Sequence, residues 1–201
     1  TEPGLNQIEC YKIDIRSWEE MREAYTLLKK GGHDFKTIVV DTIDNAFQFC
    51  AQETCDKFGV VHENEVPYGA ASGQINNNFY RFLMLLTQLP YTVILISHEQ
   101  QKEVDFEGKK IKKAVPSLST KNSEKITGLV DVILYGQLVK DAGGSDGGYK
   151  RVLKTRPCSW HEAGDRTGYL PDRLPLDGSA FIEAYNKGYQ TTIATKPKTT
   201  K

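Results

Sequence analysis

The chain has 201 residues, 39% apolar and 26% charged, with a formal net charge of zero. That length supports a full hydrophobic core, and the neutral balance excludes a global field that recruits nucleic acid or membrane, so any such binding must be local. No apolar run approaches the ~20 residues of a spanning helix and no signal peptide is visible, while four cysteines (Cys10, Cys50, Cys55, Cys158) without framework spacing favour a reducing compartment, the cytoplasm by default.

The chain opens Thr1-Glu2-Pro3-Gly4 without Met and reads as starting in mid-fold, with an amino-terminal portion absent. Residues 8–15 alternate loosely and suit an edge-side strand. Ser17 opens a helix with the capping-box spacing Ser17-Trp-Glu-Glu20, carries an apolar stripe of Trp18, Met21, Tyr25 and Leu28, and ends at Gly31-Gly32. Next comes Lys36-Thr-Ile-Val-Val-Asp41-Thr42-Ile-Asp44, a short apolar run ended by an acid, a hydroxyl and a second acid. Such a run predicts a strand buried on both faces of a parallel sheet. A helix follows from about Asp44 to Phe58, then a polar loop over 59–69, then a long helix over roughly 70–89 that stops at Pro90. Tyr91 to Ser97 is another apolar strand. Strand, helices, strand is a crossover unit, so these two strands should be parallel neighbours.

Beyond His98 the pattern changes. Residues 102–106 and 109–115 read as a ribbon turning at Glu107-Gly108, and 119–129 as a short helix capped near Ser119. Asp131 to Val139 and Tyr149 to Thr155 form a hairpin around Gly143-Gly-Ser-Asp-Gly-Gly148. Residues 156–176 read as an ordered loop, and Asp177 or Ser179 starts a last short helix through Tyr185. From Lys187 the chain is rich in Thr and Lys without an acid, as expected of a flexible tail.

In open α/β sheets ligands bind outside the carboxyl ends of strands. Asp41 stands at one such end, followed by Thr42, and this pair suits magnesium held through water beside a nucleotide phosphate, the pattern of a Walker B strand. The neighbouring end carries Ser97-His98, where an imidazole can donate to a phosphate or to attacking water.

Five segments occur in one order: Thr1-Glu-Pro-Gly-Leu5, Thr37-Ile-Val-Val-Asp41-Thr42, Val93-Ile-Leu-Ile-Ser-His98, Leu153-Lys-Thr-Arg-Pro157 and Glu162-Ala-Gly-Asp-Arg-Thr-Gly168. Together they resemble the phage-encoded nucleotide-binding proteins of the RecA-like class, ATPases associated with single-strand annealing and recombination. The resemblance spans about residues 1–186. It implies an α/β fold, a RecA-like P-loop NTPase core with a mostly parallel sheet flanked by helices and an antiparallel extension at the carboxyl side, followed by a basic tail at 187–201. It implies that Glu2 orients the hydrolytic water, that Asp41 with Thr42 holds magnesium and ATP, and that His98 couples the phosphate to a DNA-binding loop. Lys154 and Arg156 would offer cations in trans to a neighbour's nucleotide, as an arginine finger does, so the assembly would be a homo-oligomeric ring or filament. The segment from Lys102 to Lys125 has seven lysines against four acids. In RecA-like proteins this position holds DNA-contacting loops, so Lys109, Lys110, Lys112 and Lys113 would meet phosphates of single-stranded DNA without reading bases.

One departure stands out. No Gly-x-x-x-x-Gly-Lys-Ser/Thr loop is present, and the nearest imitation, Gly143 to Lys150, lies between two strand-like runs and lacks Lys directly after its last Gly. The chain by itself is therefore expected not to hydrolyse ATP, its phosphate loop lying upstream of Thr1. Two alternatives share the core: a non-catalytic DNA-binding or scaffold module, and a helicase or packaging motor. Cys158-Ser-Trp-His161 has half-site spacing for zinc, but Cys50 and Cys55, five apart on a predicted helix, would not share a face well. Trp160 and Tyr169 read instead as packing anchors or a subunit interface.

Overall fold

The computed structural model describes residues 9–141 and 148–195, with side chains described to residue 188. It is a mixed α/β structure that divides into two compact units: residues 9–99 with 116–129, and residues 100–115 with the described remainder from 130 onward.

In the first unit, α1 (Trp18–Lys30) starts where the cap chemistry places it. Ser17 Oγ accepts from the Glu20 amide at 3.1 Å, and the Glu20 carboxylate reaches one residue further back than a capping box requires, to the Arg16 amide at 2.6 Å. Gly31, at φ 69°, closes the helix by donating its amide to Leu28 O. Strand β1 (Thr37–Asp41) leads into α2 (Ile43–Phe58), capped by Thr42, and two 3-10 turns at 63–65 and 67–69 precede α3 (Ala70–Thr87). Strand β2 (Thr92–Ile96) then pairs with β1 in parallel, Thr37 opposite Thr92 through Asp41 opposite Ile96. The predicted crossover is thus present. Helix α4 (Thr120–Leu129) is also where Ser119 announced it, the Ser119 hydroxyl accepting from the Asn122 amide at 3.4 Å.

The core of this unit is aromatic. Phe79, Ile75 and Leu83 of α3 are essentially inaccessible. Trp18 of α1 meets Phe82 at 4.9 Å between ring centroids, and Phe47 of α2 meets Phe79 edge-on at 5.2 Å. Three helices therefore share one set of rings, each contact adding to the area term. Tyr91 ties the foot of β2 to the end of α1, its hydroxyl donating to Leu28 O at 2.9 Å.

In the second unit, β3 (Glu99–Phe106) and β4 (Lys109–Pro116) form the predicted ribbon about Glu107-Gly108. Strand β5 (Val132–Ile133) pairs antiparallel with β8 (Gly164–Asp165). A three-stranded antiparallel sheet runs β6 (Tyr135–Lys140), β7 (Tyr149–Lys154), β9 (Arg173–Pro175), which is the antiparallel extension expected at the carboxyl side. The turn residues 142–147 lie outside the described residues, as do Thr1 to Ile8.

Five expectations need correction. Residues 9–15 form no strand; Tyr11 and Ile13 stay exposed and Ile15 alone is buried. Strand β1 is not buried on both faces: Ile38 and Val40 are half-covered, whereas Val39, Ile94 and Ile96 are 52%, 46% and 41% exposed. The parallel sheet has only two strands, so a mostly parallel core is not what the described residues form. Helix α5 (Gly178–Thr195) continues past Tyr185, because the first strong breaker downstream is Pro197. Trp160, 66% exposed, is no packing anchor.

Replacing Phe79 with Ala should lower the unfolding free energy by about 3–5 kcal/mol, the usual range for an aromatic ring lost from a closed core. A urea titration followed by far-ultraviolet circular dichroism measures it. A loss under 1 kcal/mol would contradict the shared-ring core.

Candidate nucleotide site

The parallel register sets the site. Asp41 is level with Ile96, so the ends of β1 and β2 lie side by side and open into Thr42 and Ser97-His98. The chain at Ser97 and His98 is latched to the segment before α4, for the Ser117 amide donates to His98 O at 2.8 Å and to Ser97 Oγ at 3.1 Å.

His98 is held by a residue that sequence reasoning did not place in the site. Asp44, in the first turn of α2, accepts from His98 Nδ1 at 2.7 Å and from the His98 amide at 3.2 Å. The carboxylate is 15% exposed and the imidazole 56%. A carboxylate on Nδ1 fixes the proton there and sets the ring's orientation, the role an acidic partner plays for many functional histidines. Burial opposes ionisation of Asp44, but bonds from the His98 ring, from backbone amides and from Thr42 outweigh it and hold the carboxyl below its ordinary range. The available signal was the second acid in Asp41-Thr-Ile-Asp44: it lies in the first turn of a helix that starts at a strand end, where a negative charge is also favoured.

Asp41 offers the hard oxygen donor that magnesium takes. Thr42 is 3% exposed and its Oγ1 faces the amide of Asn45 at 3.4 Å as the cap of α2. Of the two, Asp41 is the better fit to a cation. Glu2 lies outside the described residues.

The remaining predicted residues belong to the second unit. Along β4 side chains alternate, so Lys109 and Lys113 share one face with Ile111 while Lys110 and Lys112 share the other with Ala114. Lys110 pairs with Glu103 at 2.9 Å, and Lys113, more enclosed, with Glu162 at 2.7 Å. Lys109 and Lys112 are exposed.

Lys154 and Arg156 differ sharply. Lys154, half-buried at the end of β7, forms no ion pair among the described residues. Arg156 is a clamp within its own unit: Nη2 donates to Leu170 O at 3.0 Å and to Gly168 O at 3.4 Å, Nε reaches Asp172 at 3.3 Å, and Nη1 lies 3.8 Å from Asp165. The Asp165 side chain is fully buried. It accepts from the Thr167 amide at 2.9 Å, the Thr167 hydroxyl at 2.5 Å and the Leu170 amide at 2.8 Å. Burial would raise the Asp165 carboxyl, yet the Thr167 hydroxyl and these amides outweigh it and keep it lowered. The Asp165-Arg-Thr-Gly168 motif thus builds a loop, with Arg156 as its inner strut.

Among the described residues no three His, Cys, Asp or Glu side chains gather as metal ligands, and no helix is long and apolar enough to cross a membrane. A family model described as AAA domain matches residues 1–167, which include both strand ends, the lysine ribbon, Lys154 and Arg156. Comparison with curated proteins gives no match, nor does comparison with solved structures.

Because the folded carboxyl of Asp44 is lowered, its contribution to stability is present above the unfolded pKa near ~3.9 and is lost as pH falls through the folded value. Asp44→Asn should therefore cost about 1–2 kcal/mol at pH 7, the scale of a charge-assisted bond, and progressively less towards pH 3. Urea midpoints at the two pH values measure it. An equal deficit at both would show that the ionised carboxylate is not what stabilises the strand ends.

Proposed function

Because the chain belongs to the AAA domain family of nucleotide-binding P-loop ATPases, we propose that the intact protein binds ATP with magnesium and hydrolyses it while engaged with single-stranded DNA, in phage recombination or annealing. The observation that carries this reading is the pairing of two strand ends, one with Asp41 and the other with an imidazole already oriented by Asp44. Asp41 would hold magnesium through water, and the ion would supply charge neutralisation at the phosphates. Glu2 positions the hydrolytic water, and His98, its Nδ1–H held by Asp44, accepts from that water through Nε2 when neutral and donates Nε2–H to the phosphate as the imidazolium.

The phosphate cradle requires backbone amides and a lysine, and these 201 residues contain no Gly-x-x-x-x-Gly-Lys-Ser/Thr sequence. In this proposal the cradle is supplied from outside them. The missing motif equally favours a second reading, a DNA-binding or scaffold module of the same fold that does not hydrolyse ATP. Side-by-side titration of fluorescent ATP into the full gene product and into this chain separates the two: binding by the full product alone supports the first, and binding by neither supports the second.

For a cation given in trans, Lys154 is the better candidate. Arg156 would have to abandon Asp172 and two carbonyls to reach a neighbour. The lysine ribbon serves DNA through phosphate contacts, with Lys109 and Lys112 foremost because Lys110 and Lys113 already pair with Glu103 and Glu162. A homo-oligomer, ring or filament, follows from a cation acting between subunits.

In the full-length protein Lys154→Ala should abolish DNA-stimulated hydrolysis and spare nucleotide binding. Undiminished hydrolysis would remove the trans role. The double change Lys109→Ala with Lys112→Ala should flatten the slope of log affinity for single-stranded DNA against log salt by about 1.4, at ~0.7 per lost phosphate contact. An unaltered slope would move DNA binding away from the ribbon.

A further inference from the structure

The loop between β7 and β8 holds a pair of reactive groups that the nucleotide reading does not use. Cys158 is exposed, and its Sγ lies 3.0 Å from Nδ1 of His161. Nε2 of the same ring lies 3.2 Å from the Arg156 carbonyl oxygen, which can only accept. In the neutral ring the proton therefore sits on Nε2, and Nδ1 presents its lone pair to the thiol. The ring is held in that pose by stacking on Tyr135, with centroids 4.7 Å apart and planes 11° from parallel.

The backbone supports the same arrangement. The Cys158 amide donates to His161 O at 3.2 Å, and Ala114 of β4 bonds both Trp160 O, at 2.8 Å, and the Glu162 amide, at 2.9 Å. The Trp160 amide points at Sγ from 3.4 Å, placing a donor where negative charge develops when the thiol loses its proton. Nucleophile, base and the group that orients the base are all in reach of one another, the general signature of an activated thiol.

We propose that Cys158 is a thiol-modification site with His161 as its base, and that its reaction partners are low-molecular-weight disulfides. As Sγ attacks one sulfur of the disulfide, the thiol proton passes to His161 Nδ1. A new S–S bond forms at Cys158 while the old one breaks, and the departing thiolate recovers the proton from the imidazolium. Cys50 and Cys55 are buried, and burial pushes the Cys50 thiol up to about 12, so neither competes. Cys10, exposed in the same chain, supplies an internal reference. The proposal is independent of ATP binding.

The test is a time course of the protein with oxidised glutathione at pH 7, quenched by acid and read at each cysteine by peptide mass spectrometry. Cys158 should form its mixed disulfide about tenfold faster than Cys10, the order expected where a neighbouring base receives the thiol proton during attack. In denaturing urea the two rates should converge. His161→Gln, checked for folding by circular dichroism, should bring Cys158 down to the rate of Cys10. Equal rates for the two cysteines in the folded unmodified protein would overturn the proposal whatever the variant does, and an undiminished rate in folded His161→Gln would overturn the role of the imidazole.

Discussion

The parallel pairing of β1 with β2 is the constraint on which the first unit depends. Its register, Asp41 opposite Ile96, delivers two polar chain ends to the same edge, and Asp44 then joins them through the ring and amide of His98. A slip of one residue would turn Val40 outward and Val39 inward, because side chains alternate along a strand. It would also draw His98 away from the first turn of α2. Hydrophobic selection on one sheet face and the geometry of a polar pair are therefore the same constraint, felt at two places.

The second unit is organised by polar atoms to a greater degree. Its apolar core is small, with Val152, Ala163, Leu170 and Leu174 as main members, and a long stretch of loop must be ordered around it. Buried polar groups do that ordering only if their bonds are complete. Asp165 meets the condition with amides, a hydroxyl and a guanidinium, and Thr155 meets it by donating to Pro171 O at 2.6 Å. Arg156 so becomes part of the loop's frame, and the basic character of Leu153-Lys-Thr-Arg-Pro157 divides into one structural and one available cation.

Much of the fold was legible in local chemistry. Ser17, Gly31, Ser119 and the Glu107-Gly108 turn mark their element boundaries because caps and tight turns depend on a few adjacent atoms. Less legible was anything decided by distant partners. The apolar runs at Ile38 to Val40 and Val93 to Ile96 state what those strands can bury, not how much neighbouring structure exists to cover them, so the bare face of Val39 and Ile94 could not be foreseen. Residues 9–15 alternate like a strand, yet among the described residues they join no sheet. In the site, Asp41 and His98 were visible as strand-end residues, whereas the bond between Asp44 and His98 joins positions 54 apart and needs the sheet register to be known first. Arg156 was visible as a cation; its engagement by Asp165 and Asp172 depends on how the following loop folds back.

The narrowness of the parallel sheet has a practical side. Among the described residues neither outer margin of β1 or β2 meets another strand, and one face carries Val39, Ile94 and Ile96 in the open. The edge of a β-strand beside β-branched side chains is a template on which further extended chain can add. A sheet this narrow leaves Val39, Ile94 and Ile96 as the apolar ground on which any added structure would rest.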